Sequence, residues 1–182
     1  MTQLEIKVRE GVHLSGIRLT DKPALLEHLH SKAIYNTTLN IPHPYTEADA
    51  DWWIQKRIEH AKELGIEVSF AIRDAQDKLI GVVSADSLEL GTTHRAEIGY
   101  WLALDYWGQG IMTDAVTAFV RYAFDELQLL RLTAHVFEFN VGSARVLEKN
   151  GFKLEGRLRK HIRKDGELLD GRLYGLLKED LL

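Results

Sequence analysis

The chain has 182 residues, of which 45% are hydrophobic and 27% charged, and its formal net charge is −4 at pH 7. This composition is typical of a protein that buries a full core, and it argues against a disordered chain, a fibrous chain or a general nucleic-acid binder. Cysteine is absent, which excludes disulfides, thiolate metal sites and a cysteine nucleophile. Length and composition favour one domain over residues 1–182. The absence of cysteine is typical of a reducing compartment, and the sequence shows neither a leader pattern nor a run of ~18 apolar residues, so we expect a soluble, cytoplasmic protein.

The first half of the chain alternates strand and helix patterns. Residues 14–20 have the alternation of a strand, and Asp21 with Pro23 then predicts a helix that continues to about Ala33. Residues 46–49 have the Ser/Thr-x-x-Asp/Glu form of a helix start, with Thr46 as N-cap. Further strands are predicted over residues 67–73, 79–90 and 95–103.

The second half contains two predicted helices and three strands. A helix over 111–127 presents an apolar face, a strand follows over 131–137, and a helix over 143–150 ends before Gly151. The remaining residues favour two strands joined by a turn at 164–167. Strands outnumber helices, and their order along the chain indicates the α+β class.

A glycine loop connects the strand near residue 100 to the helix that begins near Ile111. Gly108 and Gly110 let backbone amides turn inward, and a helix N-terminus adds a positive dipole end, which together favour phosphate or pyrophosphate. The spacing is that of neither a P-loop nor a G-x-G-x-x-G motif, since position 113 is Thr, so nucleoside triphosphate and NAD become less favoured. The alternative is that the two glycines only shape a tight turn.

A second motif spans residues 140–152, and it resembles the motif that closes the cofactor cleft of the GNAT superfamily of N-acetyltransferases. Asn140, Gly151 and Phe152 are in register with the pattern Asn, two residues, Ala, three residues, Tyr, three residues, Gly-Phe. Ser143 replaces the usual Ala, and Leu147 replaces the tyrosine that usually acts as general acid.

The loop at 107–112 is similar to the pyrophosphate loop of the same family, with Trp107 and Met112 replacing its outer residues. Together with Ser143 and the Ile-Pro-x-Pro-Tyr-Thr stretch at 41–46, it resembles the RimJ/RimL branch, whose members acetylate ribosomal-protein N-termini or small molecules. The likeness extends from about Leu14 to Leu177. It implies a GNAT fold, α+β, with a mixed, mostly antiparallel central sheet of about seven strands flanked by about four helices.

The resemblance implies acetyl-coenzyme A as cosubstrate, and the residues can be assigned to its parts. The pyrophosphate is expected at a loop formed by Gly108, Gln109, Gly110, Ile111, Met112 and Thr113. Backbone groups of Tyr100 and Leu102 are expected to bind the pantetheine arm, with the Leu102 N–H stabilising the oxyanion. Asn140 would bind the arm from the other side, or would simply cap a helix.

The reaction needs a neutral amine, which sets how much base catalysis is required. An α-amine with a pKa of ~7.7–8.0 is partly deprotonated at neutral pH, whereas a lysine amine at ~10.4 is not. Glu97 is the candidate base, with Asp170, His43 and His94 as rivals and a solvated strand charge as its alternative role. The resemblance implies that Ser143 is the acid that protonates the departing thiolate. The alternative is that Ser143 is an ordinary residue in the first turn of its helix. Without a cysteine, we expect direct transfer in a ternary complex.

The acceptor and other partners are less defined. Aromatic and apolar residues that match the acceptor rim in this branch, or could line the cleft floor, are more often core residues; they are Ile41, His43, Tyr45, Trp52, Trp53, Trp101 and Tyr174. The basic run 153–164 is either an RNA contact on the ribosome or a solvated strand face. A homodimer also stays open, and no metal site is predicted, since His28 and His30 diverge on their helix.

Three functions therefore compete. The favoured one is acetylation of a protein N-terminal amine, most naturally that of a ribosomal protein. The second is acetylation of a small amine such as a polyamine, an amino acid derivative or a drug. The third is an acyl-coenzyme A binding module without catalysis, which the absent tyrosine and the unassigned base leave open.

Overall fold

The computed structural model describes residues 4–86, 88 and 93–181. Within them are eight strands: β1 (Glu5–Arg9), β2 (Val12–Gly16), β3 (Ser69–Arg73), β4 (Leu79–Asp86), β5 (Arg95–Leu102), β6 (Arg131–Phe137), β7 (Lys153–Lys164) and β8 (Glu167–Leu177). Five α-helices accompany them: α1 (Lys22–Leu29), α2 (Lys32–Thr37), α3 (Glu47–Leu64), α4 (Ile111–Asp125) and α5 (Val141–Lys149).

The strands form a mixed sheet in the order β1-β2-β3-β4-β5-β6-β8-β7. The strands β5 and β6 are parallel, whereas the pairs β1–β2, β2–β3, β3–β4, β6–β8 and β7–β8 are antiparallel. The chain divides into two compact units, a first unit of Met1–Ser84 with Tyr100–Ala118 and a second unit of Ala85–Gly99 with Phe119–Leu182.

Each unit has its own buried apolar residues. In the first unit the helices and strands share a cluster that includes Leu25, Leu29, Ile34, Ala50, Ile54, Ala71 and Val82. In the second unit the buried residues of β6, α5 and β8 include Leu132, Ala134, Val136, Leu147, Tyr174 and Leu176. Burial of these side chains is the main favourable contribution to folding.

The sequence predicted most elements, and three of the differences are informative. The strand β1 was not predicted. The predicted helix to Ala33 is wrong beyond Leu29, because Ser31 has an extended backbone (φ −68°, ψ 119°) and α2 starts at Lys32. The strand predicted over 79–90 ends at Asp86, and residues 87, 89 and 90 of that prediction lie outside the described residues.

The predicted helix start at Thr46 is confirmed as a reciprocal capping box. The Thr46 Oγ1 atom accepts the Asp49 backbone N–H at 3.3 Å, and the Asp49 carboxylate accepts the Thr46 backbone N–H at 2.8 Å. The Thr46 hydroxyl also donates to the Asp49 carboxylate at 2.5 Å, and this bond, with the one from the Thr46 backbone N–H, lowers the pKa of the Asp49 carboxyl. The box satisfies two helix-end groups and determines where α3 begins.

A buried ion pair connects the strands and helices of the first unit. Arg73 on β3 donates to both carboxylate oxygens of Asp21, at 2.7 and 3.0 Å, and the two side chains are only 2% and 3% exposed. The same guanidinium donates to the Ser15 hydroxyl at 2.6 Å and the Gly16 carbonyl at 3.1 Å, both on β2. The pair therefore ties β2 and β3 to the residue that precedes α1.

We expect Asp21→Asn to lower the free energy of unfolding by about 3–5 kcal/mol, because it removes the buried counter-ion of Arg73 and leaves the Asp77 carboxylate, which lies 3.6 Å from Arg73 Nε and is 53% exposed. Asp51→Asn is the matched control. Asp51 forms an ion pair with Lys22 at 2.9 Å, but its side chain is 62% exposed, and such pairs contribute about 0–1 kcal/mol. Urea unfolding of both variants measures the difference, and equal losses would contradict this account of the buried pair.

Candidate active site

The glycine loop has the backbone geometry that an anion site needs. Gly108 (φ 74°) and Gly110 (φ 77°) both lie in the left-handed region, which favours glycine over residues with a Cβ. Helix α4 begins directly after the loop at Ile111, and its first intrahelical bond joins the Asp114 N–H to the Gly110 carbonyl at 3.1 Å. The positive end of the helix dipole therefore lies at this loop.

Side-chain bonds hold the loop to the end of β5. The Trp107 indole N–H donates to the Leu102 carbonyl at 2.8 Å, and the Gln109 side-chain amide donates to the Asp105 carbonyl at 2.9 Å. In the sequence, Trp107 departs from the usual family loop and contributes to the resemblance to the RimJ/RimL branch. Its indole position gives it a clear role, which is to anchor the loop.

Arg9 brings a positive charge to the same loop, and no sequence motif indicates this contact. Its Nη1 atom donates to the Gln109 carbonyl at 3.0 Å and lies 3.4 Å from an Asp114 carboxylate oxygen. The same Nη1 atom lies 4.0 Å from the point that a Cβ on Gly110 would occupy. Because β1 was not predicted, Arg9 could not be assigned to the loop, which lies 100 residues further along the chain.

The end of β5 runs unusually close to β4. A Cβ on Gly81 would lie 2.6 Å from the Trp101 carbonyl oxygen and 3.0 Å from Leu102 Cδ1, so only glycine fits without a shift of backbone. The Ala103 N–H donates to the Ile80 carbonyl at 2.7 Å and holds the two segments together. Gly81 thus determines where the predicted cofactor-binding residue Leu102 lies relative to β4.

We expect Gly81→Ala to displace the end of β5 and to cost about 1–3 kcal/mol of unfolding free energy, as overpacking does. Turnover should fall by a larger factor than the loss of folded protein explains, because Leu102 and Trp107, which anchors the loop, move together. Gly156→Ala on β7 is the control, since nothing lies within 4 Å of its added Cβ. Thermal unfolding and turnover are measured side by side, and an alanine at 81 with wild-type stability and activity would refute the constraint.

In the second unit, Glu97 is bonded to a histidine. The pairing of β5 with β6 joins Arg95–Glu97 to Arg131–Thr133, and Glu97 Oε1 lies 2.9 Å from Nδ1 of His135 on β6. The His135 ring stacks on that of His161, with centroids 5.3 Å apart and planes at 20°. Glu97 is therefore part of a cluster of titratable groups, and not an isolated strand charge.

Helix α5 shows what its motif residues do within the fold. The Asn140 side chain accepts the Ser143 backbone N–H at 3.1 Å, so its predicted N-cap role is confirmed. Ser143 is half-buried in the first turn, and Leu147 is fully buried. Tyr174 is also buried, with its hydroxyl 3.0 Å from Glu148 on α5, and burial raises its pKa. Roles of Asn140, Ser143 and Tyr174 toward substrates stay predictions.

The rival bases have structural partners of their own. Asp170 accepts the Lys160 backbone N–H at 2.8 Å within the β7–β8 hairpin. The His43 ring lies 5.3 Å from that of Tyr35, and the His94 carbonyl accepts the Leu130 N–H at 2.8 Å. All three residues stay rival candidates for the base.

The aromatic residues predicted for the acceptor rim differ in burial. Tyr45 is buried, and this burial raises its pKa to about 12. Trp53 is half-buried, whereas Trp52 is 63% exposed with the Lys56 ammonium 4.7 Å from the ring centroid. Tyr45 therefore belongs to the core of the first unit, and Trp52 offers a ring to solvent.

Several cations of the basic run 153–164 are neutralised by neighbours. Lys153 pairs with Asp180, and Arg157 lies 3.3 Å from Glu138 and 3.4 Å from Asp170.

No group of three or more side chains that could hold a metal ion occurs among the residues that the structure describes. Within the same ranges, no helix is long and apolar enough to span a membrane.

Comparison with known proteins identifies relatives along most of the sequence. The acetyltransferase (GNAT) domain family matches residues 12–153. The uncharacterized N-acetyltransferase p20 of Bacillus licheniformis is 35% identical over 182 residues, which cover 97% of this chain and 98% of p20. The probable N-acetyltransferase YjcK of Bacillus subtilis is 41% identical over 126 residues, which cover 69% and 68% of the two chains. The ribosomal protein uS5-alanine N-acetyltransferase of Escherichia coli is 30% identical over 112 residues, 61% of this chain and 58% of that enzyme.

Solved structures share the fold. A GNAT-family acetyltransferase from Bacillus anthracis superposes with a TM-score of 0.84 at 24% identity, covering 97% of this chain and 99% of that one. Mycobacterium smegmatis RimJ, in complex with CoA-disulfide, gives 0.85 at 23% identity, covering 98% and 88%. The expected fold is confirmed, with eight strands and five helices in the described residues instead of about seven and four.

Proposed function

Because the chain belongs to the GNAT family of acetyl-coenzyme A-dependent N-acetyltransferases, we propose that its acceptor is the α-amine of a protein N-terminus, with a ribosomal protein as the first candidate. The relative that acetylates ribosomal protein uS5 supports this choice of acceptor. So does the reaction itself, since an α-amine needs less base catalysis than a lysine amine.

The cofactor assignment rests on one observation: three features that favour a bound anion occur together at one loop. Gly108 and Gly110 carry no side chain that could cover their own backbone amides, and both are exposed. The N-terminus of α4 adds its dipole, and the Arg9 guanidinium adds a full charge 3.0 Å from the Gln109 carbonyl. A pyrophosphate of acetyl-coenzyme A fits this combination, because arginine and helix N-termini both bind phosphate oxygens.

Other parts of the cosubstrate are assigned to residues outside the loop. Backbone groups of Tyr100 and Leu102 would bind the pantetheine arm, and the Leu102 N–H would stabilise the oxyanion that forms during attack. Asn140 would bind the arm while its side-chain oxygen caps α5. Ser143 would protonate the departing thiolate. It would take the role of the family's usual tyrosine, whose motif position is occupied by Leu147 in this chain. The transfer would be direct, in a ternary complex.

We expect Gly110→Asp to abolish measurable binding of acetyl-coenzyme A, because it adds a Cβ and a negative charge where the pyrophosphate would lie. Gly65→Asp is the matched control: Gly65 follows α3 with a similar φ of 69°, and nothing lies within 4 Å of an added Cβ. Titration calorimetry compares the two after melting curves establish that both are folded. Unchanged affinity in folded Gly110→Asp would sink the loop assignment.

The acceptor is tested with N-terminal peptides of ribosomal proteins, the same peptides with a blocked α-amine, and a panel of small amines. Mass spectrometry should find one acetyl group on the free α-amine. The kcat/KM for this amine should exceed that for a lysine side chain by on the order of 100-fold near neutral pH, given the ~2.5 units between their pKa values. If a small amine is acetylated preferentially, it replaces the protein N-terminus as the proposed acceptor. If no amine is acetylated, a binding module without catalysis is favoured.

A further inference from the structure

We propose that Asp114 competes with the cofactor for Arg9. Before the cofactor binds, the Asp114 carboxylate holds the Arg9 guanidinium; it gives the guanidinium up to the pyrophosphate of acetyl-coenzyme A and takes it back when coenzyme A leaves. This inference rests on the proposed binding of the pyrophosphate at the glycine loop, and it adds a means of regulating the same site. The loop, Arg9 and Asp114 all belong to the first unit.

Arg9 is anchored to the loop through one of its nitrogens. Its Nη1 atom donates to the Gln109 carbonyl at 3.0 Å, an ordinary hydrogen-bond length. A guanidinium carries five N–H donors in a planar fork, and those on Nε and Nη2 have no protein acceptor among the residues that the structure describes. The Nη1 anchor therefore leaves the Nε–Nη2 edge of the group for two oxygens of a phosphate.

Asp114 holds the same guanidinium only weakly. Its backbone N–H donates to the Gly110 carbonyl at 3.1 Å, so the residue lies in the first turn of α4, directly after the loop. One carboxylate oxygen lies 3.4 Å from Arg9 Nη1, well beyond the ~2.7–2.9 Å of a strong charge-assisted hydrogen bond. The side chains of Arg9 and Asp114 are 36% and 44% exposed, so water also reaches both. Such a pair is weak enough to be exchanged.

A phosphate takes Arg9 from this carboxylate, but at a loss of affinity. The phosphate offers two oxygens to the guanidinium fork, whereas Asp114 places one oxygen near a nitrogen that is already bonded to Gln109. The exchange therefore favours the cofactor. Because the pair with Asp114 must break first, the cofactor binds less tightly than it would to an Arg9 without this partner.

The competition affects the product as well as the substrate. Acetyl-coenzyme A and coenzyme A carry the same pyrophosphate, so Asp114 lowers the affinity for both by the same factor. The Arg9–Asp114 contact forms again as coenzyme A leaves, and it thereby assists product release, a step that limits turnover in many enzymes.

Asp114 also has an alternative, purely structural role. An acidic residue in the first turn stabilises a helix through the helix dipole, whether or not a ligand is bound. The two roles predict opposite results. Loss of a structural residue weakens cofactor binding or leaves it unchanged, whereas loss of a competitor strengthens it.

The test measures the affinity of the full chain for acetyl-coenzyme A and for coenzyme A by titration calorimetry. Asp114→Asn should tighten both by about fivefold, the upper end of what an exposed ion pair contributes. Arg9→Ala should weaken both by about 10-fold or more, because it removes a charged donor to the phosphate. Adding Asp114→Asn to Arg9→Ala should then gain only about twofold or less, the remainder being direct repulsion between the carboxylate and the phosphate.

Two further variants serve as controls. Glu47 lies in the first turn of α3, pairs with Lys22 at 3.2 Å and is 76% exposed, so Glu47→Gln removes the same charge from a similar position. Its affinity for the cofactor should equal that of the wild type. Asp114→Ser removes the carboxylate without adding an amide that could itself bind phosphate, and it should show the same gain as Asp114→Asn.

The proposal is overturned by unchanged or weaker binding in the folded Asp114 variants, or by a gain confined to Asp114→Asn. It is also overturned by an equal gain in Glu47→Gln, by an equal gain with and without Arg9, or by unchanged affinity in Arg9→Ala. Failure of the proposed function is recognised separately, as a folded Gly110→Asp protein with unchanged affinity or a wild-type protein that does not bind acetyl-coenzyme A. If Gly110→Asp abolishes binding and neither Asp114 variant tightens it, only the competition fails.

Discussion

The candidate cofactor site depends first on the close approach of β5 to β4 at Gly81. Because no Cβ stands there, the Trp101 carbonyl and Leu102 pack directly against β4, and the next amide, of Ala103, bonds to Ile80. The Leu102 carbonyl then receives the Trp107 indole, which holds the glycine loop. One missing methyl group in a strand thus controls, through two backbone positions, where the glycine loop lies.

Charge is used differently in different parts of the molecule. Arg73 and Asp21 are buried together, and their attraction is offset by the cost of removing both from water, so the pair specifies how β2, β3 and α1 meet more than it adds stability. Arg9 is partly exposed, and it shares its charge between Gln109 and Asp114. A partly hydrated arginine can exchange these partners for a phosphate at low cost, which a buried one could not.

The proposed transfer needs two proton movements. The amine loses a proton, and the thiolate gains one, which Ser143 would supply. Neither task is demanding, since an α-amine is already partly neutral and a thiolate with a pKa near ~8.5 leaves readily. This explains how a GNAT enzyme can place Leu147, a fully buried core residue, where relatives of the motif carry a tyrosine.

The sequence alone determined the features that depend on a few neighbouring residues. The capping box at Thr46, the Asn140 cap, the positive-φ glycines of the loop and the presence of most helices and strands follow from local backbone chemistry. Only the tertiary structure decided that Arg9 reaches the loop and that Glu97 faces His135, 38 residues further along. Those contacts are set by strand order and register, which join distant segments and leave no local pattern in the residues concerned.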